Sequence, residues 1–352
     1  VNNNAGLGGI APYSNPQAAV AGGTSGNDDS DLTWGLNKII TRFGARFKSG
    51  KISANVEIRP FSASYFRHWW AAYQFDSFEM RLGKWWDPTF FFFFFFFFFY
   101  GEGVSYGSNP NGDAAAWLPM MRFAVPLPNK LGTWYLAFGE NSGARVAGVP
   151  GSADYDITLP KIVTSLRLNF APTTWLLYGG YQTYDEVGRA ASGAETEWSI
   201  DSYLVGLSGS ANFGPFGLGA NIWMSQNPRE YTLAVAPIGD AWQARYNAAT
   251  NGIEDTDVWG LQLKGTFKFN DMISLELAYG YRDAQRKDIT TNNRDDEDDK
   301  QQFDIVLPIN IAKGFTIYPT ISIYDDKDSV VAGVTTDEGK STIYGITWAL
   351  FF

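Results

Sequence analysis

The sequence predicts an all-β chain: a transmembrane, antiparallel, up-and-down β-barrel of about 16 strands. Three observations predict it. Strand-length segments alternate large apolar with polar or small residues, the period-2 pattern of a sheet with one greasy face. Short turns and long insertions alternate strictly from Trp117 onward, the rhythm of a barrel with tight turns at one end and open loops at the other. The chain also closes on such a segment, residues 342–352, where Tyr344, Ile346, Trp348, Leu350 and Phe352 are all large and apolar. A soluble sheet rarely leaves so apolar a strand at its edge, because unpaired edges aggregate. A strand that closes a barrel in lipid leaves no edge. A water-soluble sandwich alternates too, but these strands are long, their polar face is rich in Gly and charge, and aromatics gather at their ends, where two interfacial girdles would lie.

Taken in order, residues 1–31 are rich in Gly, Ala, Asn and Ser, have no periodicity, and read as an extracellular loop or arm. The first strand runs through 36–48, with Ile39, Thr41, Phe43, Ala45 and Phe47 on one face and Lys38, Arg42, Gly44 and Arg46 on the other. After the Ser49-Gly50 turn, Ile52, Ala54, Val56 and Ile58 alternate with Ser53, Asn55, Glu57 and Arg59, a hairpin with matched faces. Strands follow at 64–75 and 78–86, then a long insertion at 87–116. Further pairs are expected at 117–125 and 133–139, 161–170 and 174–184, and 198–213 and 216–225, separated by insertions at 140–160 and 185–196. Beyond a fourth insertion at 226–256 comes the clearest pair. Trp259, Leu261, Leu263, Gly265, Phe267 and Phe269 take every odd position, and Gly260, Gln262, Lys264, Thr266 and Lys268 every even one. Ile273, Leu275, Leu277, Tyr279 and Tyr281 answer them after Asn270-Asp271. A fifth insertion, 287–300, carries the acidic run Asp295, Asp296, Glu297, Asp298 and Asp299. The pair 303–311 and 315–324, a last insertion at 325–340 and the terminal strand complete one domain spanning 1–352.

That makes 15 strands, whereas bacterial single-chain barrels favour even numbers. The expectation is that the chain as given starts within the first outer loop and that one upward strand precedes Val1, making 16; a strand hidden within residues 1–31 is the alternative. A barrel of that size has an aqueous lumen.

Composition excludes several functions. The chain has 352 residues, no cysteine and a single histidine, His68, so thiol chemistry, Cys-ligated metals and a His-rich metal site are excluded. A net charge of -10 argues against nucleic acid as partner. Aromatics make up 16% of residues, a share that calls for an interface. Mean hydropathy is -0.18, and apart from ten consecutive phenylalanines at 90–99 no apolar run approaches the ~20 residues of a membrane helix. The phenylalanine run has no periodicity and no comfortable place in an aqueous lumen, and no role is assigned to it.

On the early strands the inward face is basic: Lys38, Arg42, Arg46, Arg59, Arg81, Arg122 and Arg167. Arginine against lipid costs roughly 2–4 kcal/mol at midplane, so these residues face water. Cations along one wall bias a pore toward anions; the bland reading is that they pair with Glu57, Glu79 and other carboxylates. Residues 1–170 hold 14 Lys+Arg and 12 Asp+Glu, leaving 27 − 14 = 13 and 37 − 12 = 25 for the rest. The acidic excess lies mostly in the outer insertions. Such loops suit a divalent cation, with Asp295–Asp299 as a Ca2+ loop or a bridge to lipopolysaccharide; a merely solvated face is the plainer reading.

Two segments carry a family likeness. The terminal strand resembles the last strand of bacterial outer-membrane barrels, in which the final Phe belongs to the assembly signal; here that signal is Tyr344, Trp348, Leu350 and Phe352. Leu82-Gly83-Lys84-Trp85-Trp86-Asp87-Pro88, following Ala71-Ala72-Tyr73-Gln74-Phe75, resembles the segment of general and phosphate-selective porins where a strand ends in a Gly-Lys/Gln-x-x-x-Pro motif before a constriction loop. The resemblance implies a homotrimeric diffusion porin of the Gram-negative outer membrane, in contact with lipid and lipopolysaccharide and without a cofactor. It makes 87–116 the constriction loop, with Asp87, Glu102 and Asp113 as its acidic residues. The expected function is passive diffusion of ions and small hydrophilic solutes, biased toward anions. A channel selective for phosphate, carboxylates or sugars is the alternative, and a structural or adhesive barrel a third. Catalysis would need a nucleophile or activated water beside a base; His68 sits mid-strand among aromatics, and no second group supports it.

Overall fold

A computed structural model describes residues 2–3, 43–58, 66–86, 88–89, 117–141, 146, 148–151, 154–189, 194–231, 244–286, 296–327, 329–331, 334–336 and 340–350. Among these the backbone is almost entirely strand, with two short 3-10 turns and no α-helix. The long strands are β1 (Phe43–Ser49), β2 (Ile52–Ile58), β3 (Phe66–Gln74), β4 (Glu79–Trp86), β5 (Trp117–Pro126), β6 (Gly132–Gly139), β7 (Lys161–Phe170) and β8 (Thr173–Arg189). They continue as β9 (Glu195–Phe213), β10 (Phe216–Gln226), β11 (Thr256–Lys268), β12 (Ser274–Arg286), β13 (Asp296–Val306), β14 (Phe315–Asp326) and β15 (Lys340–Leu350). Five short strands complete a 20-stranded sheet. Each long strand pairs antiparallel with its sequence neighbour wherever both are described, which is the up-and-down order of a barrel. The 15 expected strands therefore all exist, in the expected order.

The polarity of the sheet is inverted relative to a soluble protein. Along β10, Trp223 is 2% exposed and its neighbour Met224 58%. On β11, Gln262 is buried at 2% while Leu263 is 44% exposed. The convex face shows Leu177, Leu207, Leu218, Ile222, Leu277 and Ile346 to the outside. The concave face buries Ser165, Gln182, Ser208, Asn221, Gln302 and Ser322. Apolar area favours leaving water by roughly 25 cal/mol per Å2, so such an exterior is stable only in an apolar solvent. On β15, Tyr344, Ile346 and Trp348 are exposed on the face that parity assigned them.

Polar residues on the inner wall bond across strands. Asn221 Oδ1 accepts from the Tyr178 hydroxyl at 2.8 Å and from Ser208 Oγ at 2.7 Å, and its Nδ2 donates to Gln262 Oε1 at 3.0 Å. One amide thus ties β8, β9, β10 and β11 together.

Several expected boundaries move. The insertion expected at 185–196 is largely strand, because β8 and β9 pair from Thr173↔Ala211 to Arg189↔Glu195. From Asp296 on, the acidic run is strand rather than loop: β13 begins there and pairs with β12. Asn2 and Asn3 do not lie in a free arm but pair with Ser341 and Lys340, at the end of β15 remote from Leu350. The fourth insertion contains a separate hairpin, Arg245–Asn247 with Gly252–Glu254. The last contains another, Ser329–Val331 with Val334–Thr336.

An arginine on the convex face should cost far more than one in water. Leu263→Arg places a charge mid-strand against lipid and is expected to destabilise the folded barrel by about 2–4 kcal/mol. Equilibrium urea unfolding in lipid vesicles measures it, and an effect below about 1 kcal/mol would contradict the assignment of that face to lipid.

Candidate functional site: the basic inner wall

The alternation that turns Leu82, Met121 and Trp134 outward turns Arg81, Arg122 and Tyr135 inward. Register places Arg81 directly opposite Arg122 on adjacent strands. Two like charges at that spacing repel unless something sits between them. Glu79 does: its Oε1 lies 3.0 Å from Arg81 Nη2 and 3.3 Å from Arg122 Nη2. One carboxylate shared by two guanidiniums leaves a net positive charge on the wall. Both arginines are also held from below by aromatic faces. Arg81 Cζ lies 3.8 Å from the Trp70 ring centre and 5.6 Å from that of Trp85. Arg122 Cζ lies 5.3 Å from that of Tyr135. Contacts of this kind contribute roughly 0.5–2 kcal/mol each. The guanidiniums are consequently fixed in place rather than free to wander.

Around them stand further inward groups. His68 lies against Trp85, ring centres 4.1 Å apart and tilted, with its Nδ1 3.5 Å from Glu57 Oε2. Arg46 donates from Nε to Asn55 Oδ1 at 3.3 Å. Arg167 lies opposite Thr133 on one side and Leu176 on the other. Among the described residues, the buried Trp70 Nε1 and the Nε atoms of Arg81, Arg122 and Arg167 have no hydrogen-bond partner. These N–H groups can only donate, so what would complete them is an acceptor.

The wall formed by β11 to β14 differs. Lys264 Nζ pairs with Glu276 Oε2 at 3.2 Å. Arg282 and Arg286 point inward among Asp298, Gln302 and Asp304. Charges there are mixed, whereas the wall of β4 to β7 is basic.

At the long-loop end the inner face turns apolar and is covered. Tyr184, Trp198 and Ile200 point inward and pack with Val146, Val149 and Ala244, with Tyr246 and Ile253 against them. Trp198 Nε1 donates to the Asn251 carbonyl at 3.0 Å and its ring meets Tyr246 edge-on at 5.4 Å. Beside this, the short turn Pro228–Tyr231 enters the barrel. Its Tyr231 is fully buried, donates to the Ser202 carbonyl at 3.2 Å, and lies under Lys161 Nζ at 4.2 Å. Gly180 makes room for that ring, since a Cβ there would sit 2.6 Å from it.

Of the basic residues expected to line the wall, Arg46, Arg81, Arg122 and Arg167 lie on the polar face of their strands, and Arg81, Arg122 and Glu79 come together. Lys38, Arg42 and Arg59 lie outside the described residues, as do Asp87, Glu102, Asp113, Asp295 and Phe352. Within the acidic run, strand alternation divides the carboxylates: Asp298 faces inward and is buried, while Glu297 and Asp299 face outward. Asp299 Oδ2 accepts from the Tyr281 hydroxyl at 3.1 Å. A strand cannot converge consecutive side chains, and among the described residues no group of three or more ligating side chains could hold a metal. For Asp296 and Leu350 the backbone alone is placed. Sequence reasoning missed the inward aromatics Trp70, Trp85 and Tyr135, and the inward cations Lys161, Lys264, Arg282 and Arg286. Parity was the available signal: Lys264 and Arg282 occupy the even, polar positions of the clearest strand pair.

No known protein family and no curated protein matches the chain. Solved structures do. The outer membrane channel DcaP of Acinetobacter baumannii is 14% identical, covers 88% of this chain and 85% of its own, and superposes with a TM-score of 0.61. The anion-selective porin from Comamonas acidovorans is 15% identical over 88% and 89%, at 0.55. OmpT of Vibrio cholerae, in its trimer form, is 13% identical over 88% and 91%, at 0.50. At these identities the likeness establishes the fold: a porin-type β-barrel.

Removing the shared carboxylate should expose the repulsion it screens. Glu79→Gln is expected to lower folding stability by about 1–3 kcal/mol. Combining it with Arg122→Ala should cost less than the sum of the two, by roughly 1 kcal/mol, because the second change removes one of the repelling charges. Strict additivity in a double-mutant cycle of urea unfolding would show that the three groups are not coupled.

Proposed function

We propose that the protein is a passive diffusion channel of the bacterial outer membrane, for ions and small hydrophilic solutes, with a bias toward anions. The observation that carries this reading is the inner wall of β4 to β7. There Arg81 and Arg122 share the one carboxylate of Glu79, and the Nε groups of Arg81, Arg122 and Arg167 have no hydrogen-bond partner among the described residues. A charged wall inside an apolar exterior has no structural purpose that hydrophobic packing would not serve better. It suits a water-filled path in which fixed cations raise the local anion concentration. The similar structures, an outer membrane channel and an anion-selective porin among them, support the reading.

In this reading the tight turns face the periplasm and the long loops the exterior. The whole chain is one barrel domain, residues 87–116 fold inward as the constriction, and residues 1–31 belong to the outer side. The assembly is a homotrimer, as the trimer form of a similar barrel suggests, embedded in lipid and lipopolysaccharide. The basic lining at work is Arg81, Arg122 and Arg167, with Lys38, Arg42, Arg46 and Arg59 beside them, and Tyr344, Trp348, Leu350 and Phe352 form the assembly signal. The protein works without catalysis and without a cofactor. A narrower selectivity, for phosphate, carboxylates or sugars, draws on the aromatic faces of Trp70, Trp85 and Tyr135. Arg81 and Arg122 already lie over those rings, which favours the broader anion bias.

Planar-bilayer recording tests the proposal. Discrete conductance steps are expected, with a reversal potential in a salt gradient of the sign that marks anion preference. Arg81→Ala with Arg122→Ala should move that potential toward cations, reducing the anion-to-cation permeability ratio by roughly twofold or more. A barrel that folds and inserts but passes no current would overturn the channel reading. An unchanged reversal potential in the double variant would overturn the role of the arginines.

A further inference from the structure

The tip of β9 carries an inference that rests on the outward orientation of the long loops and goes beyond the channel itself. β9 begins at Glu195, but its ladder with β10 begins only at Tyr203↔Gln226. β10 stops there because the chain turns inward at Pro228, which has no N–H to extend a ladder. Residues 195–202 are therefore paired with β8 on one side and, among the described residues, with no strand on the other. The far edge of β8 is different: Asp154–Asp156 pair with it at Asp185, Glu186 and Val187.

Register decides which backbone groups the open edge presents. In an antiparallel ladder a residue's N–H and C=O point to the same side, and successive residues alternate. Arg189, opposite Glu195, donates its N–H away from β9, to the Pro150 carbonyl at 3.0 Å. Further along, the Asp201 carbonyl accepts from Asn227 Nδ2 at 2.8 Å, on the β10 side. Both observations give one parity: Glu195, Glu197 and Ser199 turn their N–H and C=O to the open edge, where none has a partner among the described residues. These three residues and Asp201 are exposed, with their side chains on the outward face. Trp198 and Ile200, between them, point inward and pack beneath the hairpin of Arg245–Asn247 and Gly252–Glu254. The outward face is acidic. Arg189 Nη2 lies 2.6 Å from Glu195 Oε1, but Glu197 and Asp201 have no basic partner among the described residues. Asp257, opposite Gln226 at the foot of the gap, adds a further carboxylate.

We propose that this edge is a strand-addition site at the outer mouth, and that its partner is a cationic extended peptide with basic residues at every second position and apolar residues between them. A row of unpaired backbone groups is a template for one more strand. An antiparallel strand laid along β9 pairs its backbone with Glu195, Glu197 and Ser199. Its basic side chains then fall beside Glu197 and Asp201 on the outward face, where opposite charges on facing strands attract. Its apolar side chains fall on the inward face, the side of Trp198 and Ile200. The same charge disfavours a second copy of the chain as occupant, because one acidic edge would then lie against another.

Binding of a short synthetic peptide alternating lysine and valine, to the full chain folded in zwitterionic vesicles, tests this. In the proposed register the lysine backbone N–H groups face β9 and the valine ones face away. Methylating the lysine backbone nitrogens should therefore weaken binding by roughly tenfold or more, while methylating those of valine should leave it within about twofold. Glu197→Gln with Asp201→Asn, checked for heat-modifiable mobility as a folded barrel, should weaken binding roughly threefold to tenfold at low salt. Hydrogen exchange over residues 195–201 should slow when the unmodified peptide binds. Binding that ignores the position of the methyl groups, or that leaves exchange over 195–201 unchanged, would reduce the contact to charge alone and overturn strand addition. No binding at all would overturn it too, and would leave the carboxylates as guards against aggregation. A concentration-dependent dimer that protects the same amides without peptide would overturn it in favour of a second copy. Bilayer currents from the same preparation read the channel separately: absence of current with peptide binding intact overturns only the channel reading.

Discussion

Everything in this structure depends on one constraint: in an apolar solvent, each backbone N–H and C=O must find its partner within the chain. An antiparallel sheet meets it strand by strand, and the pairings run almost unbroken from β1 to β15. Once the backbone is satisfied in this way, side-chain alternation is no longer free. One face must dissolve in lipid and the other must hold whatever is polar. Inverted burial, with Leu263 outside and Gln262 inside, is the direct result.

The inner face then has a problem of its own, for a polar wall in a confined space needs partners. On β8 to β11 it solves this with neutral networks centred on Asn221, and on β11 to β14 with mixed charges such as Lys264 and Glu276. On β4 to β7 it solves it only partly. Glu79 answers two arginines, and the rings of Trp70 and Tyr135 replace the carboxylates that a fully neutralised wall would carry. The incomplete neutralisation is local, and it is where function is most economically placed.

Much of the fold was legible in the sequence because parity is a strong signal where both faces obey it. Trp259 to Phe269 against Gly260 to Lys268 admits one register, since a slip of a single residue would turn Lys264 into lipid. The site was legible in part. Parity sends Arg81 and Arg122 inward, but not toward one another; that follows from strand register, which no local pattern encodes. The aromatic supports were harder still. In Arg67-His68-Trp69-Trp70 large rings occupy both parities, so the inward Trp70 looks no different from the outward Trp69. The tips of β8 and β9 were obscured for the opposite reason. Tyr184, Trp198 and Ile200 fall in expected strands, but the residues beyond them, 185–189 and 195–196, are mostly polar or glycine at both parities, and composition alone reads that stretch as insertion.

The apolar exterior has a consequence for how such a chain reaches its membrane. Machinery that inserts helices responds to a continuous greasy segment of about 20 residues. In these strands the same hydrophobic surface is dispersed, every second residue, among Gly, Ser, Gln and Lys. Each strand passes such machinery as an unremarkable polar peptide, and becomes a membrane surface only when its neighbours align it. The hydrophobicity is latent until assembly, which makes the destination a property of the assembled sheet rather than of any segment within it.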